Sequence, residues 1–230
     1  MDWDFYLTVK VGGIAVFIFF GGIAVSKKLG ISRAKAFFIN ALAAYAGYLV
    51  STSWYIIQQV FGSDPYVFGD LFTAWDEAGA VLYGWILGGT ATLVLLARHF
   101  KLNAVRYLDA VLPWLLLAQM LNRLGCFDAG CCFGSVTNFP LWVEGENGAH
   151  IHPVQLYEAL FDLGLCIFLL SKKRQGMRTF LYFVSYPAAR FLFEILRGDN
   201  QPALWFMTVP QVTSVLILIV VFRLKNKILL

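Results

Sequence analysis

Val9-Lys10-Val11-Gly12-Gly13-Ile14-Ala15-Val16-Phe17-Ile18-Phe19-Phe20-Gly21-Gly22-Ile23-Ala24-Val25-Ser26 carries a single charge in eighteen residues. This stretch sets the fold class, because a hydrocarbon core about 30 Å thick is crossed by roughly 20 mostly apolar residues in a helix. It reads as a retained span: Met1-Asp2-Trp3-Asp4 is acidic where a secretory leader would be basic. Six more windows of the same kind follow, at about 36–60, 79–97, 107–124, 154–171, 179–197 and 206–223. Composition agrees. Hydrophobic residues make up 59% and charged residues 14% of the chain, against roughly 45–50% and about 25% in soluble domains. The 230 residues therefore predict an all-α membrane protein, a seven-transmembrane-helix bundle in a single polytopic domain spanning 1–230. Disordered, collagen-like, coiled-coil and nucleic-acid-binding classes are excluded, since the net charge of +4 reflects where charges sit and not a nucleic-acid footprint.

Charge placement orients the bundle. Lys27, Lys28, Arg33 and Lys35 follow the first span, and Arg98, Lys101 and Arg106 follow the third. Lys172, Lys173, Arg174 and Arg178 follow the fifth, and Arg223, Lys225 and Lys227 end the chain. These are fourteen of the eighteen basic residues, while Asp64, Asp70, Asp76, Glu77, Glu144 and Glu146 occupy the opposite segments. The positive-inside rule then predicts the N-terminus outside and the C-terminus cytoplasmic. Trp54, Trp75, Trp114, Trp142 and Trp205 fall near expected interfaces, where amphipathic rings settle.

The four remaining cations point to a site. Lys10 can snorkel from the outer end of the first span. Arg123, Arg190 and Arg197 cluster at the outer ends of spans four and six. An arginine at helix-centre depth costs roughly 2.5–3.5 kcal/mol, so three on one side mark a cavity or a mutual network. Arg190, Glu194 and Arg197 are spaced by four and three residues and share a helical face. They could form a self-neutralising ladder, but two arginines against one glutamate leave positive charge over, and Arg123 adds more. That surplus suits an anionic group, most simply a lipid phosphate. In the fifth span His152, Gln155, Glu158 and Asp162 form a polar stripe after Pro153, a helix-start residue. Asp162 is expected to bond between helices, and His152 and Glu158 are candidate site residues at the outer mouth.

Residues 125–134, Gly-Cys-Phe-Asp-Ala-Gly-Cys-Cys-Phe-Gly, put three glycines and Cys126, Cys131 and Cys132 in ten positions. Such a run predicts a tight re-entrant-like loop, within an extracytoplasmic loop at about 125–152. Three readings of the thiols stand side by side. Cys126 could pair with Cys131 or Cys132 as a disulfide staple on the oxidising side. Zinc would need a fourth ligand such as His150 or His152, and C-x4-C-C is not a familiar zinc spacing. A thiolate beside arginine could act as a nucleophile. Cys166, inside a span, is read as packing.

Three segments together resemble the prolipoprotein diacylglyceryl transferase family. Asn122-Arg123-Leu124-Gly125-Cys126-Phe127-Asp128-Ala129-Gly130 is similar to its signature G-R-x-G-N-F-x-N-G. His152-Pro153-Val154-Gln155-Leu156-Tyr157-Glu158 matches H-P-x-Q-L-Y-E, and Arg190 through Arg197 fits R-x-x-x-E-x-x-R on the penultimate helix. Asp64-Pro65, Trp75-Asp76 and Gly84 to Gly89 resemble the approach to its third helix. The resemblance implies an enzyme of the bacterial inner (cytoplasmic) membrane that moves the diacylglyceryl group of phosphatidylglycerol to a lipoprotein cysteine. Its implied partners are a membrane phospholipid and a lipoprotein precursor, with no cofactor, no metal and no nucleic acid. Carried over residue by residue, Arg123 and Arg190 hold the phosphate and Glu194 orients Arg190. Tyr83, His152 and Glu158 are the other catalytic candidates, and Arg197, Gly134, Gln155 and Tyr157 the other binding candidates.

The chain departs from the family pattern where the acceptor thiol would be activated. Tyr83 stands where the family has the histidine of H-G-G, Cys126 replaces the signature asparagine and Cys131 replaces its glutamate. Tyrosine, with a pKa near 10, is a poor base at neutral pH. The chain is also short for the family's extracytoplasmic head. Other readings are a paralogue with another acceptor, a non-catalytic lipid-binding protein, and a cysteine-based redox or soft-metal membrane protein.

Overall fold

The computed structural model describes residues 3–60, 81–145, 148–198 and 206–229. Asp64-Pro65, Asp70, Trp75-Asp76, Glu77, Glu146 and Trp205 lie outside them, as do the start of the expected third span and Met1-Asp2. Seven helices account for most of the described residues. In chain order they are α1 (Trp3–Leu29), α2 (Arg33–Val60), α3 (Leu82–His99), α4 (Ala104–Asp128), α5 (Val154–Ser171), α6 (Met177–Leu196) and α7 (Val209–Ile228). Each overlaps an expected window. Among the described residues five are long and apolar enough to cross a membrane: α1, α2, α4, α5 and α7. The α6 sequence is diluted by Arg178, Arg190 and Glu194, and α3 by glycines and a terminal Arg98-His99.

One addition qualifies the all-α expectation. The segment after α4 holds a two-stranded antiparallel hairpin, β1 (Val143–Glu144) with β2 (His150–Ile151), in the register Val143 to Ile151 and Glu144 to His150. The expected loop also begins later. Helix α4 continues through Asp128, so Arg123 and Cys126 sit on its last turns, and the chain turns only at Gly130 and Cys132, both with positive φ.

Packing follows small residues and buried polar bonds. Helix α1 lies against α4, α2 against α3, α4 against α5 and α6 against α7. The approach of α3 to α2 requires glycine: a Cβ on Gly84 would collide with the Ser51 backbone, and one on Gly88 would stand 2.7 Å from Cβ of Val50. This is the close packing that small-residue spacing leads one to expect. Tyr107 Oη donates to Asn40 Oδ1 at 2.8 Å, tying α4 to α2. Cys166 packs in the core with Leu165, Leu169 and Tyr182.

One end of the bundle is organised by Asp109, which is fully buried on α4. Its carboxylate accepts from the backbone N–H of Gly176 at 2.7 Å, from that of Thr179 at 2.9 Å and from the Thr179 hydroxyl at 2.8 Å. It therefore caps α6 from another helix, satisfying N–H groups left open at any helix start. Lys28 Nζ, 3.7 Å away, supplies the countercharge. Arg178 closes the neighbouring helix end, donating to the Leu170 and Lys172 carbonyls of α5. Asp109→Ala strands these donors and is expected to cost about 2–3 kcal/mol. A thermal unfolding series in detergent should show a lowered midpoint for Asp109→Ala and an unchanged one for the exposed Glu144→Ala.

Candidate active site

The opposite end of the bundle collects the charged residues singled out from sequence. Arg123 on α4 places Nε 2.5 Å from Glu158 Oε2 on α5, and Arg190 on α6 places Nη1 2.8 Å from Glu158 Oε1. Arg190 Nη2 lies 2.8 Å from Glu194 Oε2, one helical turn on; this contact is an ion pair whose N–H is not aimed along the hydrogen-bond direction. The Thr208 hydroxyl donates to Glu194 Oε1 at 2.9 Å. Arg123, Glu158 and Arg190 are only 5%, 5% and 7% exposed. A continuous chain of charge thus runs from α4 through α5 and α6 to the start of α7.

This alters the charge balance read from α6 alone. Glu158 stands between the two arginines, so Arg123 and Arg190 are balanced in formal charge by Glu158 and Glu194. Two guanidinium groups carry about ten N–H donors in fixed forks, and Glu158 is approached by one nitrogen of each arginine. Glu194 lies beside Arg190, one helical turn on along α6. Asp162 differs from expectation: its Oδ1 is buried without a hydrogen-bond partner.

The segment after α4 is stitched over this site. Ser135 N donates to the Leu196 carbonyl at 2.8 Å, Gly198 N to Phe133 O at 3.2 Å, and Gly134 pairs with Arg197 as an isolated antiparallel bridge. On the other side Gly134 N donates to His152 O at 2.9 Å. A Cβ on Gly134 would sit 2.5 Å from Cβ of His152, so this expected binding residue is required by backbone approach. Gln155 Nε2 donates to Cys131 O at 2.6 Å, and Tyr157 Oη donates to Leu141 O at 2.7 Å with His152 Nδ1 3.4 Å away. Gln155 and Tyr157, expected to bind substrate, here hold the loop. Gln155 Oε1 is buried with no partner.

Cys126, Cys131 and Cys132 converge. Their sulfur atoms all lie within 4.8 Å of one another, and none is in a disulfide in this structure. The neighbouring Cys126 and Cys131 thiols, then the charges of Arg197 and Arg123, push the Cys132 thiol below the ordinary cysteine range. Neither histidine joins the cluster: His150 stacks on Trp142 at 3.5 Å between ring centroids, and His152 faces Tyr157. Tyr83, the catalytic candidate at the position of the family's histidine, is bonded to another helix. The Ser214 hydroxyl donates to the Pro210 carbonyl at 2.8 Å, so Tyr83 Oη, 2.5 Å from Ser214 Oγ, is the donor in that pair and ties α3 to α7.

The family model for prolipoprotein diacylglyceryl transferase matches residues 4–224. The chain belongs to the prolipoprotein diacylglyceryl transferase family. Among its relatives is the phosphatidylglycerol–prolipoprotein diacylglyceryl transferase of Clostridium tetani, 31% identical over 92% of this chain and 91% of the relative. Transferase 2 of Clostridium perfringens is 32% identical over 83% of this chain and 77% of its own length. The Synechococcus elongatus transferase is also 32% identical, over 70% and 60% respectively.

In this diacylglyceryl transferase family member, Thr208, Ser214 and Asp109 are the structural partners that sequence reasoning missed. Thr208-Val209-Pro210-Gln211 does carry a legible signal. It is a capping box, with Gln211 N donating to Thr208 Oγ1 and Thr208 N donating to Gln211 Oε1. Ser214 has no local signal, because its role depends on a tyrosine on α3. Glu158→Ala would leave two buried guanidinium groups facing each other, a loss of about 3–5 kcal/mol. Thermal unfolding should register it as a large drop in midpoint, with Glu158→Asp intermediate.

Proposed function

We propose that this chain moves the diacylglyceryl group of phosphatidylglycerol to the cysteine thiol of a lipoprotein precursor and releases glycerol phosphate. The reaction takes place in the cytoplasmic membrane of a bacterium. The observation that carries this reading is the pair of buried guanidinium groups, Arg123 and Arg190, held on one carboxylate at one end of the bundle. Fixed cations of this kind favour a phosphate that gains charge as it leaves, because they are already oriented and shielded from water. Glu158 and Glu194 orient the arginines; His152, Gln155, Tyr157 and Gly134 hold the covering loop, and Arg197 borders it. Glu158 is engaged by both arginines, and Tyr83 is committed to Ser214. The cysteine cluster and His152 remain the groups nearest an incoming thiol.

All seven helices cross the membrane in this reading, with the N-terminus outside, the C-terminus cytoplasmic and the 129–153 segment facing outward. The basic ends of α1, α3 and α7 support it, carrying Lys27 and Lys28, Arg98, and Lys225 and Lys227. A green fluorescent protein fused at the C-terminus should fluoresce, whereas alkaline phosphatase fused there should be silent; the reverse pattern refutes the orientation.

Activity is tested with phosphatidylglycerol vesicles and a lipobox peptide ending its leader at cysteine. Arg123→Ala and Arg190→Ala should each reduce glycerol phosphate release at least about 100-fold, in protein that still extracts folded. Tyr83→Phe should stay within about threefold of the parent, because its hydroxyl is placed for helix tying. Undiminished turnover by both arginine variants would overturn the assignment.

A further inference from the structure

The three clustered thiols are not used by the phosphate half of the reaction. Cys126 lies one helical turn beyond Arg123 on α4, and Cys131 and Cys132 come back over it from the following turn. That turn is held by specific bonds: Cys131 N donates to Cys126 O at 3.1 Å, and Gln155 Nε2 grips the Cys131 carbonyl at 2.6 Å. Cys132 is placed with φ of 63°, a left-handed conformation that a non-glycine residue adopts at a cost. Three sulfurs are thereby brought within 4.8 Å of one another, with Cys126 buried and the other two partly open.

We infer that Cys126, Cys131 and Cys132 form a three-sulfur zinc site whose fourth position is open to the acceptor cysteine. The inference rests on the transferase reading for the identity of that fourth sulfur. A zinc–sulfur bond of about 2.3 Å sets tetrahedral sulfurs about 3.8 Å apart, so the cluster needs to close by about 1 Å or less. Three protein ligands with an open position are the pattern of a catalytic zinc, whereas a structural site is closed by four. Among the described residues no fourth ligand joins the group, since the only histidines near it, His150 and His152, are engaged with Trp142 and Tyr157. The open side is that of Cys131 and Cys132, and Arg123 lies within electrostatic reach of the cluster.

Zinc would supply what the departures from the family pattern remove. A thiol that coordinates the ion is deprotonated outright, so no strong protein base is needed. The acceptor S–H proton passes to water as its sulfur binds. The zinc-bound thiolate then attacks the primary carbon of the diacylglyceryl group: the C–S bond forms while the C–O bond to phosphate breaks. The electron pair departs on the phosphate oxygen, whose added charge faces Arg123 and Arg190. No oxidant or reductant enters. The product thioether is a much weaker ligand than a thiolate and vacates the position.

Cobalt(II) titration of the reduced, metal-free full-length protein tests this directly. Tetrahedral d–d bands and sulfur charge-transfer bands should appear at about one cobalt per chain. A lipobox cysteine peptide should raise the charge-transfer intensity by about a third, as three sulfur ligands become four, and its serine counterpart should leave it unchanged. Cys126→Ser, Cys131→Ser and Cys132→Ser should each lose tight binding, and Cys166→Ser should retain it. Absent bands, or bands indifferent to the peptide, overturn the inference; the second result would instead fit a metal site whose fourth position is closed to the acceptor cysteine. Because the parent protein carries the deciding titration, a variant that fails to fold does not obscure it. Glycerol phosphate release separates the two proposals. Release that persists after zinc is stripped refutes the zinc role and keeps the transferase, whereas a peptide-sensitive site without any release supports the site and refutes the transferase.

Discussion

A single carboxylate, Glu158, stands between two guanidinium groups in the low-dielectric interior of this bundle. Moving any one of these ions from water to such a medium costs several kcal/mol even after relaxation. Their mutual attraction offsets that cost only when the geometry is held, so the pairing dictates which helices are neighbours. Helices α4, α5 and α6 must present Arg123, Glu158 and Arg190 at one depth, and Glu194 extends the same requirement to the Thr208 cap of α7. Apolar surface alone would not demand this arrangement, because lipid tails solvate leucine as well as another helix does.

The two ends of the bundle use buried charge differently. Around Asp109 donors and acceptors are matched: the carboxylate receives three hydrogen bonds from the start of α6 and faces Lys28. Around Glu158 they are not. Gln155 Oε1 and Asp162 Oδ1 are buried without partners, and Cys132 has a costly backbone conformation. Departures from local satisfaction gather where a protein must meet something other than itself. The matched end supplies the rigidity that lets the other end stay unmatched.

Much of this was legible in the chain because membrane helices are announced by length and apolarity. The window 154–171 coincides with α5, and the others differ by the polar turns that extend α1, α4 and α7 beyond their apolar stretches. Arg123, Arg190 and Glu194 were legible as charges inside apolar windows, which are rare enough to stand out. The role of Glu158 was not: it lies 32 residues from Arg190, and only the packing of α5 on α4 reveals that it bridges both arginines. Tyr83 is the converse case. Motif position suggested a base, whereas Ser214, brought close by α7, makes it a tie between helices. The loop was misjudged at its start, since Gly125 is compatible with the last turns of a helix and Gly130 alone needed its left-handed turn.

The bridge at Glu158 also bears on how the molecule is made. Arg123 and Glu158 are on successive helices, so the arginine leaves the ribosome well before its carboxylate does, and Arg190 later still. Until α5 arrives, the end of α4 holds a cation that the bilayer disfavours and that must linger near headgroups or water. Burial of Arg123 is thus conditional on its successor, and Glu158 in turn on the arrival of α6. This end of the bundle is sealed only in the last third of synthesis, and a truncated chain has no means of hiding these charges. Quality control in the membrane would therefore encounter incomplete copies as helices with exposed, unpaired ions, a mark of immaturity written by the same residues that the finished protein pairs and buries.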